Sequence, residues 1–126
     1  MRLAALLLLI FSLALPVTAQ ASDISGNWQR SNGQARVIFA PCPGGICGRI
    51  TWLDPRVKTK ARIGDKVFYD LVSDGADRWK GKAFSPKEGK TYSATLKLNG
   101  KALNSEECLF GDRICRGEHQ TRAKFL

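Results

Sequence analysis

One histidine and one methionine occur among 126 residues, and acids are scarce, with 11 Asp plus Glu against 20 Lys plus Arg. The histidine count is the most restrictive of these. His119 stands alone, and its neighbour Glu118 falls on the opposite side if the segment is a strand, so the two form no acid/base couple. The chain has no Gly-x-Ser-x-Gly elbow, no phosphate-cradling glycine loop and no paired-histidine motif. Asp70, Asp74 and Asp77 make a small acidic stretch without the spacing of a calcium loop, and Glu106 and Glu107 are adjacent, so on a strand they face apart. These shortages point away from an enzyme and imply neither cofactor nor metal.

Long apolar runs are also missing after the first fifteen residues, so no later segment reaches membrane-spanning length. The opening segment has Met1 and Arg2, an apolar stretch from Leu3 to Leu15, then Pro16 and a polar tail ending in Ala19, Gln20 and Ala21. This reads as a secretory signal peptide over residues 1–21, cleaved near Ala21. The mature domain, 22–126, keeps 19 Lys plus Arg and 11 Asp plus Glu, a net charge of +8. It is expected to be periplasmic or secreted. At this length one modest core is possible, burying about 60 to 70% of the surface the unfolded chain exposes.

Four cysteines follow, Cys42, Cys47, Cys108 and Cys115. An even number in an oxidising compartment predicts two disulfides. Three pairings are possible, and the local ones, Cys42 with Cys47 and Cys108 with Cys115, are preferred. Neither gap has zinc-knuckle spacing.

The rest of the chain alternates short β-type runs with turn clusters, and no stretch has helical periodicity. Runs are expected around Trp28, then over Ala35 to Ala40, Ile46 to Leu53, Val67 to Val72, Trp79 to Phe84, Thr91 to Leu98, Lys101 to Cys108 and Ile114 to Phe125. In the third run Ile46, Gly48, Ile50 and Trp52 fall on one face. Asn99 and Gly100 supply a tight hairpin dipeptide. About eight strands at regular spacing predict an all-β antiparallel sandwich or barrel, and closure has the advantage of leaving no unpaired edge.

Several of these segments together resemble the domain-of-unknown-function 2147 family of exported bacterial proteins. They are Gly26-Asn27-Trp28, Cys47 to Leu53, Ser85 to Ser93, Cys115-Arg116 and Thr121-Arg122. The resemblance implies a small lipocalin-like β-barrel. It also implies that Arg122 on the last strand packs across the indole of Trp28 on the first, a structural pairing that closes one end. Two positions depart from the family pattern: Glu107 stands where Gly is usual, and Gln120 where Trp is usual.

Two binding readings remain, with an enzyme of unknown type as a third. In the first, Trp52, Trp79, Phe84 and Tyr92 lie on separate strands and either fill the barrel or line a cup for a small apolar or amphipathic molecule, with Arg49 at the mouth if the register allows. In the second, Arg56, Lys58, Lys60 and Arg62 alternate with smaller residues, so an extended segment presents four cations on one side to anionic envelope components. Nucleic acid fits the charge but not the compartment. Oligomeric state and ligand identity are not encoded in any recognisable pattern.

Overall fold

The computed structural model describes residues 23–123, and the expected signal peptide lies outside the described residues. Eight strands follow one another: β1 (Gly26–Arg30), β2 (Ala35–Cys42), β3 (Gly45–Leu53), β4 (Lys66–Ser73), β5 (Arg78–Ser85), β6 (Lys90–Asn99), β7 (Ala102–Leu109) and β8 (Ile114–Arg122). Each pairs antiparallel with the next, and β8 returns to β1 through Trp28 opposite Arg122, closing the barrel. Every expected run is a strand. Pro41 and Cys42 extend β2 beyond the expected Ala40, and Phe125 lies outside the described residues.

Alternation decides what faces inward. Along β2, Ala35, Val37 and Phe39 are buried and alternate with the less buried Arg36 and Ile38; along β6, Tyr92, Ala94 and Leu96 are buried, with Ser93 and Thr95 between them. The two ends of the barrel differ. At one end Ile24, Trp28, Phe39, Leu71, Leu96 and Leu103 have almost no solvent exposure and pack into one apolar cluster. The Trp28 indole N–H donates to the Ile24 carbonyl at 2.9 Å, so the lead into β1 folds across this end as a plug. Gly48 faces the same interior, where an added Cβ would sit 2.9 Å from Phe39 and 3.1 Å from Phe68; its missing side chain lets those two rings meet with centroids 5.4 Å apart.

The other end carries the β1–β2, β3–β4, β5–β6 and β7–β8 connections and is open. Both disulfides take the local pairing, Cys42–Cys47 beside the β2–β3 turn and Cys108–Cys115 between register partners of β7 and β8.

Candidate functional site

The open end leads into a cavity of about 700 Å³ inside the barrel. Its walls differ in kind. On one side Val37, Ile50, Leu53, Val67 and Phe68 line it, with Val57 and Ala61 of the β3–β4 connection above them. On the other side are Arg30, Glu107, Arg116 and Glu118, with Glu88 at the lip. The second wall follows from register. Glu107 lies opposite Arg116, and Ser105 opposite Glu118, so the inward positions of β7 and β8 beyond Leu103 toward the open end are polar where those of β2 and β6 are apolar.

Arg116 organises the charged wall. Its Nε donates to Glu107 Oε2 at 3.1 Å, its Nη1 donates to Glu88, and its guanidinium lies 4.4 Å from the centroid of the Tyr92 ring. The Tyr92 hydroxyl donates to the same Glu88 carboxylate. Hydrogen bonds from Tyr92 and Arg116 hold the Glu88 carboxyl below the usual glutamate range, while the bond to Glu88 raises the Tyr92 phenol. Glu107 shifts the other way. Burial raises its pKa, the nearby Glu118 charge adds to the rise, and Arg116 offsets only part of it. Glu118 in turn accepts from Arg30.

Glu118 Oε2, Ser105 Oγ and both amide atoms of Gln120 are buried without a hydrogen-bond partner. Buried polar atoms are rarely left so, because each forfeits its bonds to water. They cluster on the inner face of β7 and β8.

The aromatic cup expected from sequence is only half built. Trp79 and Tyr92 do face inward and are buried, but both serve as packing: Trp79 lies opposite Leu96, and Tyr92 is covered by Arg116. Trp52 is outside the barrel. Arg36 pairs with Trp52 and Val37 with Ile50, so Thr51 is an extra residue in β3, and the bulge reverses the alternation beyond it. Leu53 therefore turns inward, and the Trp52 ring lies 5.0 Å from the outward Arg36 guanidinium. Phe84 also points outward from β5, touching the cavity only at its rim. The register does not bring Arg49 to the mouth: it is exposed, and Nη1 donates to the Gly64 carbonyl at 3.1 Å, bracing the connection from outside.

The basic segment is not an extended strip either. Residues 54–65 form a looped connection that folds back on β3, with the Gly64 N–H donating to the Ile50 carbonyl at 2.8 Å. Arg56 is drawn to the buried Asp54 by two side-chain bonds of 3.0 and 2.9 Å, and these bonds hold the Asp54 carboxyl below its ordinary range. The Arg62 backbone N–H is tied to Asp65. Lys58 and Lys60 are exposed and sit on the rim of the cavity, with Lys87 from the β5–β6 turn.

Trp28 and Arg122 meet as the resemblance implies, the guanidinium 4.4 Å from the indole centroid. Sequence reading missed Arg30, Glu107, Arg116 and Glu118 as cavity-facing groups. A signal was present: the two departures from the family pattern, Glu107 and Gln120, are both buried and both face inward. His119 lies outside the barrel, 2.7 Å from Asn104 through Nδ1. Glu106, Cys108 and Cys115 come together, but the two thiols are joined in the disulfide and are unavailable to a metal.

A family model described as an uncharacterized protein conserved in bacteria, DUF2147, matches residues 26–122, which is all eight strands. No curated protein and no solved structure matches the chain.

Proposed function

The chain belongs to the DUF2147 family, and from that premise we propose that it is an exported, non-enzymatic binding protein that holds a small amphipathic molecule in the open half of its barrel. Two disulfides and a bacterial family support the exported setting.

The two-sided cavity carries the reading. A volume of about 700 Å³ suits one small molecule. A purely apolar guest fits poorly, since it covers Glu107, Arg116 and Glu118 without replacing their water. An amphipathic guest lays its apolar face on Val37, Ile50, Leu53 and Phe68 and its polar face on the charged wall, where the unpartnered Glu118 Oε2 takes a donor. Lys58, Lys60 and Lys87 at the rim suit an anionic group left near the mouth. The basic segment thus serves the same opening as the cavity and is not a separate strip.

Catalysis is not part of this reading. The three carboxylates of the wall are each engaged by an arginine, so none is an unencumbered base.

Titration with a dansyl-labelled fatty acid tests it. One saturable site is expected, weakened at least tenfold in Leu53→Trp, which fills the cavity from its apolar wall. Fluorescence that never saturates, or that Leu53→Trp leaves unchanged, contradicts the reading.

A further inference from the structure

The exposed apolar side chains are not scattered. Among the described residues, the large ones are Ile63, Val72, Phe84, Phe110 and Ile114, and all but Val72 lie at or beside the open end. Phe110 is 77% and Ile114 59% exposed, on the hairpin that joins β7 to β8. Single exposed apolar residues need no explanation; four around one opening do. The Cys108–Cys115 bond fixes the base of this hairpin, so the two side chains are held out on a braced support.

Charge follows the same axis. The connections at the open end carry six cations, Arg56, Lys58, Lys60, Arg62, Lys87 and Arg113, against four acids. Two of those acids are already engaged, Asp54 with Arg56 and Glu88 with Arg116. At the plugged end, the described connections carry one cation, Lys101, against three acids, Asp23, Asp74 and Asp77. The open end is therefore basic and apolar-tipped, whereas the connections of the plugged end carry no excess of cations and Asp74 there is paired with Arg78 and Lys80.

We propose that the open end docks on the surface of an anionic phospholipid bilayer, with Phe110 and Ile114 entering the interface and Lys58, Lys60 and Arg62 meeting lipid phosphates. Neither feature suffices alone. Apolar side chains bind the interface through buried area, cations add attraction to anionic lipid within about a Debye length, and stable attachment commonly needs both. A soluble acidic protein accounts for the cations but not for two protruding apolar side chains flanked by Gly111, Asp112 and Arg113. Docked in this way, the mouth of the cavity faces the membrane, and a molecule moves between bilayer and barrel without crossing open water. The docking rests on the distribution of side chains over the barrel ends and not on the ligand reading.

Co-sedimentation of the purified protein with vesicles tests it. Phosphatidylglycerol–phosphatidylethanolamine vesicles should bind the protein, pure phosphatidylcholine vesicles should bind it much less, and salt should weaken the binding. Phe110→Ser with Ile114→Ser, and separately Lys58→Gln with Lys60→Gln, should each lower partitioning roughly tenfold. Val72→Ser with Lys101→Gln, at the far end, should leave it unchanged. A Phe110→Trp variant should show a blue shift on the anionic vesicles and quenching by brominated acyl chains. Leu53→Trp should still bind vesicles, which separates a failure of docking from a failure of ligand binding. Equal binding to both lipids, equal loss in the far-end variant, or a Trp at position 110 that is never quenched overturns the proposal.

Discussion

Arg122 lies across Trp28 with its guanidinium carbon 4.4 Å from the indole centroid, and it also donates to the carbonyls of Ser25 at 2.9 Å and Asp23 at 2.6 Å. One side chain from the last strand thus ties the first strand and the lead that crosses the plugged end. Stacking on Trp contributes roughly 0.5 to 2 kcal/mol, and the carbonyl bonds are charge-assisted but lie at the exposed edge.

Arg122→Ala is accordingly expected to destabilise the fold by on the order of 2 kcal/mol, read as a lower thermal midpoint. Arg122→Lys should recover little of the loss, because an ammonium lacks the planar fork that stacks and donates twice. Binding of a dansyl-labelled fatty acid should be nearly intact in both, since the cavity opens at the opposite end. An unchanged midpoint in Arg122→Ala contradicts the assignment.

The hairpin disulfide should matter for stability. Cys108 and Cys115 are seven residues apart, and replacing both with Ala removes a short loop closure worth about 2 to 3 kcal/mol by chain-entropy reasoning. Chemical denaturation should show the loss, together with weaker vesicle binding as Phe110 and Ile114 lose their brace. Vesicle binding that is undiminished in a folded double-Ala variant removes the brace from the docking account.

Glu107 makes a pH-dependent contribution whose sign is fixed by its raised pKa. In the folded state its carboxyl holds the proton more tightly than in the unfolded chain, so the favourable contribution is present below the ordinary glutamate value, about 4.3. It is lost as pH rises through the higher folded value. Glu107→Gln should therefore flatten the fall in thermal midpoint on going from mildly acidic to neutral pH. It should cost little at neutral pH, because Arg116 retains Glu88. A variant whose pH profile parallels the wild type would show that Glu107 is not the buried carboxyl responsible.

The bulge in β3 offers a separate check on the interior. Trp52 is outside and half-buried beneath Arg36, whereas Leu53 faces the cavity. Trp52→Ala should leave fatty-acid binding unchanged, while Leu53→Trp should weaken it at least tenfold. The reverse pattern would place Trp52 inside.

The fold was legible because alternation and turn chemistry agree along most of the chain: Tyr92, Ala94, Leu96 and Leu98 alternate with polar neighbours and end at Asn99-Gly100, and β6 ends there. Barrel closure follows from edge protection and from the resemblance, and the Trp28–Arg122 pairing realises it. The site was less legible for two physical reasons. A bulge shifts which side chains face in without leaving a mark in composition, so Trp52 reads as interior when only the residues are known. A polar inner wall also defeats a search for hydrophobic faces. Ser105, Glu107, Arg116, Glu118 and Gln120 occupy inward positions of β7 and β8, where apolar periodicity has nothing to register.

The most direct measurement is native mass spectrometry of the protein isolated from the envelope of its own host, compared with Leu53→Trp isolated in the same way. The wild type is expected to carry one adduct, released on activation as a molecule with both an apolar portion and a charged or hydrogen-bonding group, and the variant to be bare. A wild-type protein with no adduct, or an adduct equally abundant in the filled variant, would contradict this.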